Sequence, residues 1–328
     1  MSGRQWLRGV GTMAIVLAGV MAGASAQAQN WPVRSIKWVV PFPAAGGADL
    51  AARVAGQHLS DALRQPVVIE NRPGANGNIG AEAVARGVAD GYTFVVGSSA
   101  NITTNPLLFK LDWDPLTDLV PVAMLSVNPM FLFVNPSVVP VSTLQELIAY
   151  AKAKKGDLDY AHGGDGSPAH MATELLMMSA GFTMVPIQYK GGTPGVNDVV
   201  GGRVGVMFAA APTVMPHARA GRLRLIATTQ ARRSQAAPDL PTIAESGFPD
   251  FDVFIWNMLL APAQTPPAII QRMNAEINRL VVMPDVRETL GRQGAEPMPL
   301  DPAALKALVR ADYERWAKVV KTAGIKVQ

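Results

Sequence analysis

No cysteine occurs among the 328 residues, which excludes disulfides, thiolate catalysis and cysteine-based metal sites. The sequence also lacks Gly-x-Gly-x-x-Gly and any glycine loop ending in Lys-Ser/Thr, the loops that seat dinucleotides and nucleoside triphosphates. Gly-x-Ser-x-Gly is missing: Ser98 and Ser167 each follow a glycine but fail the nucleophile-elbow pattern. Positive charge exceeds negative by only four, and Arg4 and Arg8 carry half of that excess. So small a surplus excludes an electrostatic nucleic-acid surface. Four histidines are present, at 58, 162, 170 and 217, without a recognised metal-ligand spacing, so no metal and no cofactor are expected. The acids do not cluster as a catalytic pair, and enzymatic activity, a hydrolase using Ser167 and His170 included, is disfavoured.

What is present begins with a basic start, an apolar run over residues 10–23 and small residues at 24–28. This reads as a signal peptide over 1–28, and the run is too short for a membrane span of about 20 apolar residues. A periplasmic or secreted protein is expected, with its mature start near Gln27 or Gln29. Residues 36–40 read as a buried strand, 41–49 as a glycine loop and 50–63 as a helix capped by Asp49. A strand feeding a glycine loop and a helix start leaves backbone N–H groups converging on one point, a seat for an anion such as a small carboxylate.

The pattern continues with a strand at 67–69, a glycine loop at 70–80, a helix at 80–88 and a strand at 92–97 ending in Ser98, Ser99 and Asn101. Two strands, 122–127 and 130–134, precede a helix over 143–155 capped by Ser142. A strand at 158–161 leads into the loop 162–170 and a helix over 171–180, repeating the first design. Strands at 183–188, 204–208 and 223–228 follow, with a second glycine loop at 189–194. Alternating strands and helices predict an α/β fold with parallel sheets, and ligands beyond the carboxyl ends of the strands. Two such sets predict two lobes around a cleft, as in hinged binding proteins. With crossings near Asn128 and Phe251, lobe 1 comprises 29–128 plus 252–328 and lobe 2 comprises 129–251. Helices at 267–280, 285–293 and 302–323 complete lobe 1. Trp256, just past the second crossing, is either core or a cleft wall.

Several segments resemble the Bug family of solute-binding receptors for tripartite tricarboxylate transporters. They are Pro41-Phe42 with Gly46 and Asp49, residues 70–80, Asp90-Gly91-Tyr92-Thr93, Asp114-Pro115-Leu116, Tyr160-Ala161, Gly166-Ser167-Pro168 with His170, Tyr189-Lys190-Gly191-Gly192, and Leu259-Leu260-Ala261-Pro262. The resemblance implies a two-lobed periplasmic binding protein of the type II, Venus-flytrap kind, without catalysis. It also implies that a ligand carboxylate is held by two βα loops, partly through water. Carried over, the first loop offers Phe42, Ala44, Gly46 and Gly47, and the facing loop Gly166, Ser167 and His170. Ser98, Ser99 and Asn101 would donate from lobe 1, while Tyr189, Gly191 and Thr193 would shape lobe 2. The implied partners are a small carboxylate and the permease subunits, or in a sensory role a histidine-kinase ectodomain; a monomer is expected.

Departures from the family pattern bear on specificity. Ala45 replaces a glycine, which suggests a different turn; Asp165 replaces an Asn, and His162 a small residue. Gly205 and Ala209 stand where acids are common. A carboxylate moved from position 209 to Asp165 would disfavour a plain dicarboxylate, so a ligand with one carboxylate and a neutral, aromatic or cationic end is expected. The alternative is that Asp165 turns away and caps the next helix.

Overall fold

A computed structural model describes residues 31–325; the proposed signal peptide lies outside them. Strand β1 (Ile36–Val40), mostly β-branched or aromatic, enters helix α1 (Gly47–Leu63). Then come β2 (Val67–Asn71), α2 (Asn78–Ala85), β3 (Thr93–Ser98), a π-helical turn at Ala100–Thr104 and the short helices α3 (Asn105–Leu108) and α4 (Pro115–Asp118). The 16-residue strand β4 (Leu119–Val134) is followed by α5 (Leu144–Ala153), β5 (Asp159–His162), α6 (Pro168–Ala180) and β6 (Val185–Gln188). The chain continues through α7 (Gly192–Val200), β7 (Val206–Ala210), α8 (Ala211–Arg219), β8 (Arg224–Thr228) and β9 (Phe254–Pro262). It ends with α9 (Pro267–Leu280), α10 (Pro284–Arg292) and α11 (Pro302–Ala323).

The strands form one path, β2-β1-β3-β9-β4-β7-β5-β6, with β8 beside β4. Parallel pairing is confined to β1 with β2 and β3, and β5 with β6 and β7. Strand β9 runs antiparallel to β3 and β4, and β4 antiparallel to β7 and β8, so the sheets are mixed rather than wholly parallel. The two strands expected at 122–127 and 130–134 are one. The first part of β4 pairs with β9 down to Pro129↔Phe254, and the second with β7 from Met130↔Ala210 onward. Pro129 stands where the partner changes, a place in a strand where a missing N–H disturbs the ladder least. One strand therefore carries the chain from one half of the structure to the other.

Helix starts show how local chemistry places these elements. Thr143, not Ser142, caps α5: its hydroxyl accepts from the Glu146 N–H at 3.2 Å, while the Glu146 carboxylate accepts from the Ser142 N–H at 2.6 Å, a reciprocal pair like a capping box but shifted by one residue. Ser167 caps α6, accepting from the His170 N–H, so Asp165 does not.

Each sheet half buries apolar side chains on both faces. In the first, Trp38, Leu59, Phe94 and Leu259 pack with α9 and α10 through Met273, Ile277 and Leu290. The opposite face packs Val39, Val95 and Trp256 with Leu305 and Val309 of α11. In the second, Leu132, Tyr160, Leu176 and Phe208 form one cluster, which also contains Trp316 and Val319 of α11. The last helix thus belongs to two cores. Trp256 is 1% exposed, which settles it as core, and its Nε1 donates to Asp312 Oδ2 at 3.1 Å.

Asp312, at the middle of α11, also accepts from Thr103 Oγ1 at 2.7 Å and faces Arg315 at 3.3 Å. Burial pushes its carboxyl above the ordinary range despite these partners. A carboxyl raised on folding contributes stability in acid that is lost as pH rises through the folded value. The Asp312→Asn variant keeps an acceptor for Thr103 and Trp256 without the buried charge. Its thermal midpoint relative to wild type is expected to be higher at pH 7 than at about pH 4; calorimetry at both pH values, showing the opposite trend, would refute this.

Candidate functional site

The loop after β1 is shaped by one buried carboxylate. Asp49 sits within the first turn of α1 rather than at its cap, which is Gly46. Its Oδ2 accepts from the Ala45 N–H and from Arg53 Nε, each at 2.9 Å, and its Oδ1 accepts from Asn71 Nδ2 at 2.9 Å. Burial alone would raise its pKa, but the bonds from Arg53, Ala45 and Asn71 prevail and hold it below the usual carboxylate range. Ala45 takes φ +64°, a left-handed conformation that glycine adopts at no cost. The alanine therefore keeps a glycine-type turn instead of changing it. Gly46 has no side chain to cap α1, so the first-turn N–H groups stay open to a guest.

At the end of β3 the Asn101 amide is a brace. Its Oδ1 accepts from the Ser98 N–H at 2.7 Å and from Ser98 Oγ at 3.3 Å, and its Nδ2 reaches the Gly77 carbonyl. Asn101 is fully buried and does not line the cavity described below; in this structure its amide fixes Ser98 and the loop after β2. Ser99 is buried, and its carbonyl accepts from Thr103 Oγ1.

These two loops open on a cavity of about 470 Å³. Its lining includes Phe42, Gly46, Gly47 and Ser98 from the first half, and Ala210, Pro212 and Thr213 from the start of α8 in the second. Between them Asn128 of β4 and Ile255 and Asn257 of β9 form the floor, and Leu290 and Gln293 of the α10 region close one side. No charged side chain is among the lining residues. The first turns of α1 and α8 meet this space from opposite halves, and α8, like α1, has no side-chain cap. Helix N-termini facing an uncharged cavity favour an anionic group there.

The loop at 162–170 lies elsewhere. Gly166 packs against the first half: a Cβ built on it would fall 2.0 Å from Leu108 Cδ1. His170 Nδ1 accepts from the Gly166 N–H at 3.1 Å, which places its proton on Nε2, 3.7 Å from Glu174 Oε1. Glu174 Oε1 accepts from the Tyr160 hydroxyl at 2.7 Å; these bonds outweigh burial and keep the Glu174 carboxyl low. His162, buried and stacked on His170 with centroids 4.4 Å apart, bonds the Gly164 carbonyl through Nδ1, and burial lowers its pKa. His162, Asp165 and His170 bring ligand-type atoms within 4.8 Å of one another. Both histidine Nδ1 atoms are engaged with the backbone, through the Gly164 carbonyl and the Gly166 N–H, so the two rings hold the loop closed. Asp165 is 47% exposed, which removes the buried carboxylate on which the expected bias against dicarboxylates rested.

Of the other residues singled out, Ala44, Gly191 and Thr193 are exposed and Ala209 is core; none lines the cavity. The Tyr189 hydroxyl donates to Asp198 at 2.8 Å, and burial with this carboxylate pushes the phenol up to about 12. The sequence reading missed Asn128, Ile255, Asn257, Ala210 and Thr213. Ser126 and Asn128, polar residues two apart in an apolar strand, were the legible signal, because that spacing puts both on one face.

Residues 51–325 match the tripartite tricarboxylate transporter family receptor, TctC. The chain belongs to this receptor family. It is 39% identical to protein BugT of Bordetella pertussis over 316 residues, 96% of each chain. Among solved structures, an R. palustris protein with adipate is 36% identical at a TM-score of 0.74, over 90% of this chain and 99% of that one. MatC from Rhodopseudomonas palustris, with bound malate, is 33% identical at a TM-score of 0.70, over 88% and 100%. As a TctC-type receptor the chain has the two-lobed α/β binding-protein fold and is a solute-binding protein rather than an enzyme. Among the described residues no helix is long and apolar enough to cross a membrane.

Proposed function

We propose that this receptor works in the periplasm, captures a small carboxylate between its lobes and delivers it to the permease subunits of a tripartite tricarboxylate transporter. The observation that carries this reading is the uncharged cavity met by two uncapped helix starts, one from each half. Two TctC-type relatives were solved with the carboxylates adipate and malate, which supports an anion of that size. The lobes in this reading are 29–128 plus 252–328 and 129–251, hinged at β4 and at the return into β9. Phe42, Gly46, Gly47 and Ser98 contact the solute, and the loop at 163–170 forms the closing contact on Leu108. Hydrogen bonds to a charged group contribute about 1.5–3 kcal/mol each, so three or four backbone donors suffice for micromolar binding.

Thermal unfolding against a panel of mono-, di- and tricarboxylates tests the proposal. A true ligand at 100 times its dissociation constant stabilises by about 2.7 kcal/mol, which moves the midpoint by several degrees. If no carboxylate shifts the midpoint and none is released when the purified protein is denatured, the reading fails.

A further inference from the structure

The loop at 162–170 meets the other half of the molecule through Gly166, and one hydrogen bond holds Gly166 in place. Its N–H donates to His170 Nδ1 at 3.1 Å. A Cβ at Gly166 would fall 2.0 Å from Leu108 Cδ1 and 3.8 Å from Thr104 Cγ2, so the backbone itself makes the contact. An imidazole nitrogen accepts a hydrogen bond only while it carries no proton. The same Nδ1 lies 3.9 Å from Asp165 Oδ1, a half-exposed carboxylate of the loop. The Gly166 N–H and a proton from solvent thus compete for one lone pair, and Asp165 is placed to pair with the protonated ring.

The surroundings direct a proton to this ring rather than to its neighbour. His170 Nε2 faces Glu174 Oε1 at 3.7 Å, and the Tyr160 hydroxyl donates to the same oxygen. His162, its ring centroid 4.4 Å away, bonds the Gly164 carbonyl through Nδ1, and burial pushes its pKa down, which favours the neutral ring. The 189–192 loop, hydrogen-bonded to His162 and Gly163, brings Tyr189, whose hydroxyl is held by Asp198, and the exposed Lys190. Residues 100–108 of the other half and strand β7 carry no titratable side chain. From α11, which also packs on α6, Asp312 and Arg315 face each other at 3.3 Å, and Lys318 lies by Met178 and Ser179 at the far end of α6. Among these groups Asp165 and Glu174 are the ones placed to balance a charge on His170.

We infer that His170 is the positioning residue of the closing loop and works as a proton-operated clasp. Unprotonated, its Nδ1 holds Gly166 against Leu108. Protonated, Nδ1 donates to Asp165 instead, the Gly166 N–H loses its partner, and the contact between the halves loosens. Histidine is the side chain that changes charge between about pH 5 and 8, so solute capture weakens as the surroundings turn acid. The inference rests on the proposed reading of this loop as the closing contact.

Because the chain has no cysteine, Gln57→Cys and Asn197→Cys, at exposed positions on α1 and α7, carry a spin-label pair that reports the distance between the halves. This distance, the Gly166 amide resonance and the His170 ring resonances are followed from about pH 8 to about pH 5. No solute is added, since a carboxylate would itself titrate near this range, and a chelator keeps metal ions off His162, Asp165 and His170. All three signals are expected to share one midpoint, with the longer distance in acid. A Gly166 amide that does not follow the imidazole, or an imidazole that does not titrate here, overturns the clasp and leaves the closure reading standing. An amide that follows while the distance stays fixed overturns both. Two variants separate a clasp from a merely structural role. His170→Asn sets a side-chain oxygen, which accepts but takes up no proton, near the place of Nδ1 and should flatten the distance profile. Asp165→Asn changes only a half-exposed side chain and should move the midpoint to lower pH, because the protonated ring loses its anionic partner. A profile unchanged in both variants refutes the assignment.

Discussion

Replacing Asp49 with alanine is expected to lower stability by about 2–4 kcal/mol and to weaken carboxylate binding by about tenfold or more. The residue is 1% exposed and its carboxylate holds three partners, Arg53, Asn71 and the Ala45 N–H. Without it Asn71 and Ala45 lose an ionised acceptor, and a buried donor left unmatched costs more than the bond itself contributed. The loop from Phe42 to Gly46 is then free to leave the left-handed turn at Ala45, and the N–H groups of α1 lose their common aim. Because hydrogen bonding keeps the Asp49 carboxyl below its unfolded value, its contribution is complete above about pH 4 and is lost as pH falls through the folded value. The stability gap between wild type and variant, measured by urea unfolding, should therefore close in strong acid. An equal gap at every pH would show that Asp49 acts by packing alone.

The second large effect is expected at Gly166. It has φ +71°, and a Cβ there would overlap Leu108 Cδ1 at 2.0 Å. Valine at this position faces left-handed strain of about 1–2 kcal/mol together with that overlap, which exists only when the two halves are in contact. Ligand affinity should fall by about tenfold or more, because closure becomes less favourable. Scattering should show a more open average shape. Shortening the opposing side chain in the double variant Gly166→Val with Leu108→Ala should recover part of the affinity. If the double variant is no better than the single one, the loop does not govern closure.

The two glycine loops also show what could be read from the sequence and what could not. Residues 36–63 and 158–180 follow the same local grammar of strand, glycines and helix start, and both were placed within a few residues. Local grammar says nothing of which loop faces which. The cavity instead pairs the first loop with Ala210, Pro212 and Thr213, a helix start with no glycine and so no signal. The floor escaped for a related reason. It is made where β4 and β9 lie side by side, a pairing across more than a hundred residues, with Asn128↔Ile255 in register. Asn128-Pro129 reads as a strand break because the usual consequence of proline in a strand is a lost bond; here it coincides with a change of neighbour. The caps that were misplaced, Asp49 for Gly46 and Ser142 for Thr143, were off by a few residues because the neighbouring polar groups share the work through a second contact.

The last helix has a consequence for how this protein comes apart. Leu305 and Val309 fill one half of the molecule, Trp316 and Val319 the other, and Asp312 between them ties Thr103 to Trp256. Neither half can melt alone without exposing apolar side chains that its neighbour still covers. A pair of lobes joined only by strands would be free to unfold in two steps. Clamped by a shared helix, they are expected to lose their structure together, in one transition rather than two.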